Sequence, residues 1–256
     1  MSGSITLENR FGVNKMELIS LKYAIFVIVL LVLYYCFPKK YRWYVLLAGS
    51  MAYYVIICKW YVLFIIFTIC TTYGSTIWID KLLKEQNAIV KSHKEDWDRQ
   101  TRKEYKEKGR KKRVAVMLFA LLCNFGILAF LKYIPYAGEL GLLLPLGISF
   151  YTFQSMGYVM DVYREIVEPE KNFLKVALFV SFFPQIIQGP IAIYDKLAGQ
   201  LYEGHSLRLE NLQKGALLVL WGVIKKLVIA DRAVNIINFV MDKPMDFSGT
   251  YVFFAA

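Results

Sequence analysis

Long apolar runs alternate with short basic turns in the first half of the chain. Four runs are long enough to be considered as membrane spans: Tyr23–Phe37, Trp43–Cys58, Trp60–Ile79 and Val114–Leu131. A spanning helix needs roughly 20 apolar residues, with about 17 as the lower limit. Two of the runs fall slightly short, but lysines and arginines at their ends can extend to the lipid headgroups. The pattern therefore predicts four membrane-spanning helices.

The pattern becomes irregular in residues 144–200. Pro145 and Gly147 interrupt one apolar stretch near its start, Pro184 lies inside the next, and Gly189-Pro190 ends it. Proline removes a helical hydrogen bond, so these positions predict discontinuous or tilted helices. Lipid tolerates such backbone only where it is buried in protein or lines a watery cavity. The region is therefore predicted to enclose a place where something is bound, moved or modified.

Composition supports a polytopic membrane protein, since 57% of the residues are hydrophobic and mean hydropathy is +0.42. The net charge of +11 could suggest a nucleic-acid partner, but its distribution argues against one. Residues 80–113 carry 13 lysines and arginines against 7 acidic residues. A basic loop between apolar spans marks the cytoplasmic side. Binding to anionic lipid headgroups or to an acidic partner is the alternative explanation of this loop.

The basic loop is predicted to contain helix, because Glu107 and Lys111 are one of its two favourable i,i+4 pairs. The N-terminus is expected outside, with no cleavable signal, so the first span is retained. The four cysteines lie in or beside apolar runs and predict neither a disulfide framework nor a metal site.

Two polar stripes cross the irregular region. Residues at i, i+4 and i+7 share one helix face. The first stripe comprises Gln154, Tyr158 and Asp161, and the second comprises Ser181, Gln185 and Gln188. The two stripes are predicted to face each other or a shared channel. Interhelical hydrogen bonding without chemistry is the alternative for the glutamines, and pairing with Arg164 is the alternative for Asp161.

No complete active site can be identified from residue chemistry. The chain has two histidines: His93 in the charged loop and His205 in a turn before a helix. Both are expected to be solvated, away from the apolar region. No catalytic or nucleotide-binding motif is found. No catalytic residue, metal ligand or bound cofactor is therefore assigned.

Residues 144–200 closely resemble the membrane-bound O-acyltransferase (MBOAT) family, in particular its bacterial branch of alginate O-acetylation proteins. The resemblance is carried by Leu144-Pro145-Leu146-Gly147-Ile148-Ser149-Phe150-Tyr151, Phe153, Tyr158, Asp161-Val162-Tyr163-Arg164, Phe182-Phe183-Pro184-Gln185, Gly189-Pro190-Ile191, Leu197 and Gln200-Leu201. Ile224-Lys225-Lys226 and Ile229-Ala230-Asp231 also match.

The resemblance implies an all-α, polytopic, funnel-like helical bundle with discontinuous helices. Such an enzyme, in the bacterial cytoplasmic membrane, moves an acyl group, typically acetyl, onto a hydroxyl of a cell-envelope polysaccharide. The donor, such as acetyl-CoA or an acyl carrier, approaches from the cytoplasm and the acceptor from outside. Membrane lipid and envelope acetylation proteins are the implied partners. Gln154, Tyr158, Asp161, Gln185 and Gln188 are interpreted as part of the funnel wall.

The family's reaction needs an invariant histidine after a tryptophan-rich segment, and neither His93 nor His205 has that context. Residues 1–256 are therefore expected to be the N-terminal part of a single acyltransferase domain, with 80–113 as its cytoplasmic loop, truncated before the catalytic histidine. Alone, this part is expected to be inactive and to fold poorly. The alternatives are a non-catalytic transporter-like or partner-binding module, and a natural half-length protein with a separate catalytic partner.

Overall fold

A computed structural model describes residues 21–93, 96–133, 145–187, 189–242 and 246–255. These residues form α-helices with short 3-10 and π-helical segments, and no β-strand occurs among them. The predicted all-α class is therefore confirmed. Contacts divide the chain into two compact units, of which the first ends at Gly204 and the second begins at His205.

Eight helices make up the described part of the first unit. They are α1 (Leu21–Cys36), α2 (Arg42–Cys58), α3 (Val62–Ser92), α4 (Arg99–Tyr133), α5 (Ile148–Tyr163), α6 (Phe173–Ser181), α7 (Phe183–Ile187) and α8 (Tyr194–Tyr202). Short 3-10 turns, Lys39–Tyr41 and Lys59–Tyr61, join α1 to α2 and α2 to α3.

The first four helices correspond to the four predicted spans. The stretch Lys39–Ser92 and the helix Arg99–Tyr133 are each long and apolar enough to cross a membrane, and Leu21–Cys36 is a shorter apolar helix. Both α3 and α4 continue past their apolar runs into residues 80–113. Helix in the charged loop was predicted, and an ion pair of 3.6 Å between Glu107 and Lys111 stabilises it.

Helix α3 lies at the centre of the first unit and packs against α4, α5 and α6, while α2 packs against α1 and α6. The side chains of Tyr54, Ile65, Met156 and Phe179 are fully buried between these helices. Where the core lies, the helices interlock through large side chains, and the small buried residues Ser50, Thr72, Thr76, Ser155 and Ser181 fill the gaps between them.

The predicted interruption near Pro184 is confirmed. Helix α6 ends at Ser181, and Phe182 leaves helical geometry with φ −59° and ψ 105°. The cause is local, because Pro184 has no N–H to donate and its ring would clash with the carbonyl four residues earlier in a continuous helix. The chain resumes as the short helix α7, whose Ile186 packs against Gly147.

Gly147 begins α5 with a left-handed φ of 69°. A Cβ atom at this position would overlap the carbonyl oxygen of Ile186. Glycine is therefore required twice over, by its backbone angle and by the closeness of α7. This contact joins the two interrupted stretches that the sequence predicted.

The second unit contains α9 (Leu209–Ile224), a π-helical segment (Lys225–Ala230), α10 (Asp231–Asp242) and α11 (Gly249–Ala255). Val240 is the only buried side chain among those described in this unit. Helix α9 begins before the apolar run Ala216–Ile224 and continues without a break into the π-helical segment. The two lysines that limit that run therefore lie at the start of the irregular turn.

Candidate functional site

Two members of the first polar stripe join α5 to the α6 region. Gln154 is 3% exposed, and its Nε2 donates a 2.9 Å hydrogen bond to the Phe179 carbonyl of α6. Tyr158 is 1% exposed, and its hydroxyl accepts a 2.8 Å bond from the Glu170 backbone N–H. These bonds satisfy main-chain groups that would otherwise be buried without a partner. The two side chains therefore fix α5 against α6 and the connection before it.

The other predicted site residues are placed differently. Asp161 is partly exposed in the last turn of α5, and its carboxylate bonds no residue that the structure describes, Arg164 included. Gln185 is partly buried in α7. Gln188 lies outside the described residues. The structure makes α5, α6 and α7 neighbours, as the stripes predicted, and leaves the assignment of a channel wall as a prediction.

Two buried polar atoms near these stripes have no partner. They are the Ser155 hydroxyl on α5 and the Gln185 Oε1 on α7. A buried polar atom without a hydrogen bond costs about 1–3 kcal/mol, and each of these two lies on one of the interrupted apolar stretches. The expectation that this region encloses a polar space stays a prediction.

A cavity of about 530 Å³, which we call the tyrosine cavity, opens near the C-terminal end of α5. Its walls are the connection Val167–Lys171 and one face of α8. Tyr158 lies directly behind it, with its ring stacked on that of Tyr194 at 4.1 Å between centroids. Phe179 meets the Tyr194 ring edge-on at 4.9 Å. The cavity therefore has a rigid aromatic side.

The tyrosine cavity also has charged residues in its lining. Glu168, Glu170 and Asp195 line it together with Lys171. Glu170 is held by Lys175 at 3.6 Å. This lining presents acceptors beside aromatic rings, an arrangement that binds hydroxyl or ammonium groups.

Tyr202 closes one end of the tyrosine cavity. Its hydroxyl donates a 2.8 Å bond to the Lys175 carbonyl at the start of α6. This bond uses the single proton of the hydroxyl, so Tyr202 is a structural donor here.

Both histidines are exposed, as predicted. His93 ends α3, where its Nδ1 lies 3.0 Å from the Ser92 hydroxyl and its ring stacks on Trp97. His205 is exposed just before α9. Across the part of the chain that the structure describes, no cluster of histidine, cysteine and acidic residues could hold a metal ion.

The sequence reading did not identify the residues that surround the tyrosine cavity. Glu170, Tyr194 and Tyr202 are distant from Tyr158 along the chain, and no spacing rule connects them. One signal was available, because buried Tyr194, Ala198 and Leu201 repeat at helical spacing and indicate an amphipathic helix. The ion pair between Arg113 and Glu165 was also missed, although a charged residue at the end of an apolar run invites a search for its partner.

Comparison with known proteins identifies related sequences. The chain is 31% identical over 170 residues, 52% of its length, to the peptidoglycan O-acetyltransferase of Helicobacter pylori. It is 42% identical over 89 residues, 35% of its length, to the probable alginate O-acetylase AlgI of Pseudomonas syringae pv. tomato. It is 33% identical over 129 residues, 50% of its length, to the probable alginate O-acetylase AlgI of Azotobacter vinelandii.

The matched segments make up 32%, 17% and 24% of these three relatives, so this chain corresponds to only part of each. No family profile matches the chain, and no solved structure is significantly similar to it. The similarity nevertheless comes from proteins of the kind that the motifs of residues 144–200 predicted. The resemblance to the bacterial O-acetylation branch of the membrane-bound O-acyltransferases is thereby confirmed over about half of the chain.

Proposed function

We propose that the protein is a membrane O-acyltransferase that transfers an acetyl group to a hydroxyl of a cell-envelope polysaccharide. The observation that carries this proposal is the similarity to relatives named for O-acetylation of peptidoglycan and alginate. The long apolar helices support it, because a membrane position allows a donor from the cytoplasm to meet an acceptor outside. The acyl donor is proposed to be acetyl-CoA or an acyl carrier, and envelope acetylation proteins are proposed partners.

In this proposal the first unit forms part of a polytopic funnel through the cytoplasmic membrane. Gln154, Tyr158, Asp161, Gln185 and Gln188 belong to its wall. Gln154 and Tyr158 hold the wall together through their bonds to main-chain groups. Gln185 presents an unpartnered oxygen, which suits a hydrogen bond to the acceptor or to a carried hydroxyl. The apolar surroundings exclude bulk water from the reaction.

The proposed reaction joins the acceptor hydroxyl to the acyl carbonyl and releases the donor's thiol, or its equivalent, with the hydroxyl proton passing to a general base. Neither His93 nor His205 is proposed as that base, because both are exposed to solvent. We accordingly propose that residues 1–256 do not catalyse transfer by themselves.

Deletion of the gene in its source organism tests the activity. Mild alkali releases O-acetyl groups as acetate, which is measured separately in each envelope polysaccharide fraction. We expect one fraction to lose its acetate and to regain it when the intact gene is restored. If every fraction keeps its acetate after deletion, the proposed function is wrong.

The wall assignment is tested with Gln185→Met in the complemented strain. Methionine keeps the length of the side chain and removes the unpartnered oxygen, so the thermal midpoint should be unchanged or higher while acetylation falls at least tenfold. Gln213→Met, at an exposed position of α9, is the matched control and should keep full acetylation. Full acetylation by Gln185→Met would exclude Gln185 from the wall.

A further inference from the structure

Two main-chain groups at the interruption between α6 and α7, the Phe183 N–H and the Phe179 carbonyl, would bond each other in a continuous helix. Because Phe182 leaves helical geometry, each of them has another partner. The Phe183 N–H donates to the Ser50 Oγ of α2 at 3.3 Å. The Phe179 carbonyl accepts from the Gln154 Nε2 of α5 at 2.9 Å. Side chains of two other helices therefore replace one helical hydrogen bond.

Proline alone does not account for this exchange of partners. Pro184 lacks its own N–H, and its ring opposes the carbonyl of Val180, so the bond that it prevents is the one between these two residues. The bond that the side chains replace lies one residue earlier in the chain. Both replacing side chains, Ser50 and Gln154, are buried. Buried partners for both halves of the lost bond indicate that α2 and α5 hold the break.

The break determines where α7 lies. Its first residue, Phe183, is buried, and the centroid of its ring lies 5.5 Å from that of Tyr53 on α2. Toward the other end of α7, Ile186 packs against Gly147. Gln185 lies between these two contacts. A shift of the break would therefore move Gln185.

We infer that Ser50 and Gln154 are positioning residues, which hold the α6–α7 break open and thereby fix the place of Gln185. The role of Gln185 in acetyl transfer rests on the proposed function, whereas the hold on the break does not. Without the two side chains, the Phe183 N–H and the Phe179 carbonyl can bond each other and extend α6 toward α7. The interruption is therefore a two-state element, which two side-chain bonds bias toward its broken form.

Hydrogen exchange of the Phe183 amide in the full chain, in neutral detergent, tests the bond to Ser50. Ser50→Ala removes the acceptor, so the protection of this amide should fall at least tenfold. Ser75→Ala is the matched control, because the buried Ser75 hydroxyl donates to the Thr72 carbonyl of its own helix. It should change the protection less than threefold. Equal protection in Ser50→Ala and the intact protein would overturn the inference, because Ser50 would not be the acceptor.

A second substitution tests whether the two released groups bond each other. Gln154→Leu alone leaves the bond to Ser50 in place, so the Phe183 amide should keep its protection to within threefold. Ser50→Ala combined with Gln154→Leu frees both main-chain groups, so protection should rise at least threefold above that of Ser50→Ala. Circular dichroism measures the helical content of each variant. A double variant that exchanges as fast as Ser50→Ala, or that loses helix, would overturn the two-state element.

Acetylation separates positioning from stability. In the complemented strain, at equal protein abundance, Ser50→Ala should lower polysaccharide acetate at least tenfold, and Ser75→Ala should keep it. The double variant should regain the amide protection without the acetate, because its break is closed and Gln185 is displaced. Acetate that recovers together with protection would mean that Ser50 and Gln154 only stabilise the fold, and would overturn their positioning role.

Failure of the proposed function is distinguishable from failure of this inference. If deletion of the gene leaves every polysaccharide fraction acetylated, the proposed function is wrong. The exchange of the Phe183 amide does not depend on acetyl transfer, so it still decides whether Ser50 and Gln154 hold the break.

Discussion

Both units of the chain contain apolar helix, and they differ in how they use it. In the first unit, helices α2 to α6 bury large side chains such as Tyr54, Met156 and Phe179 against one another. In the second unit Leu217, Leu218 and Val219 are 65%, 72% and 68% exposed, and Val240 alone is buried among the described residues. The apolar composition of a helix therefore determines whether it prefers water or lipid. It does not determine whether the helix packs against another helix.

The difference in burial between the two units has a physical explanation if their apolar helices lie in lipid. Lipid tails are as apolar as leucine, so hydrophobicity alone gives little force for association between helices inside a membrane. Close packing and interhelical hydrogen bonds supply that force. The first unit has both, for example Asn124 Nδ2 to Thr71 Oγ1 at 3.0 Å between α4 and α3. In the described part of the second unit, Gly215 and Gly222 face open space.

Core truncation should separate the two units most strongly. Phe179→Ala removes a fully buried ring and should lower the free energy of unfolding by about 3–5 kcal/mol. Leu218→Ala, at an exposed position, should change it by less than about 0.5 kcal/mol. Circular dichroism in mixed micelles with increasing SDS measures both. Equal losses would mean that the second unit has a core as tight as the first.

Glycine replacement gives the next largest contrast. Gly147→Ala forces a side chain into a left-handed backbone and against Ile186, so a loss of about 1–3 kcal/mol is expected. Gly215→Ala meets nothing within 4 Å and should raise stability by up to about 1 kcal/mol, since alanine favours helix. The same unfolding measurement applies, and a neutral Gly147→Ala would contradict the close α5–α7 contact.

A hydroxyl deletion should give a smaller effect. Tyr158→Phe leaves the Glu170 N–H without its acceptor and should cost about 1–2 kcal/mol. Tyr251→Phe, whose side chain is exposed in α11, is the control and should be neutral. Hydrogen exchange of the Glu170 amide gives a second readout, because its protection should fall in the first variant only. Unchanged protection would show that another group accepts this bond.

The smallest expected effect concerns an exposed ion pair of the second unit. Lys214 lies 3.0 Å from Glu210, and both side chains are about 70% exposed. Lys214→Ala should change the free energy of unfolding by no more than about 0.5 kcal/mol. A loss well above this value would indicate that α9 is held by contacts beyond its own turn.

The sequence was sufficient to predict features that depend on neighbours along the chain. The four apolar runs correspond to α1–α4, and the break before Pro184 follows from the covalent structure of proline. The i,i+4 spacing of Glu107 and Lys111 correctly indicated helix in the charged segment. Helical periodicity also placed Gln154 and Tyr158 on one face of α5.

The sequence could not predict which group each polar side chain would meet. Gln154 bonds a backbone carbonyl, and every residue has one, so no residue type identifies the partner. The Arg113–Glu165 pair joins residues 52 positions apart, a distance that no helical spacing covers. Helix α8 was missed because its nine residues mix apolar and charged positions and leave no run long enough to detect.

The hydrogen bond between Tyr202 and the Lys175 carbonyl has a consequence for how the chain threads through a bilayer. It holds the end of α8 against the start of α6, so residues 176–201 depart from one level of the molecule and return to it. The segment between them reaches as far as Gly147 through Ile186 before turning back. Helices α6 and α7 together therefore leave and return at one end of the first unit. If that unit lies in a bilayer, this segment adds no net crossing, and scoring its apolar stretch as a span would assign the wrong side to the residues after it.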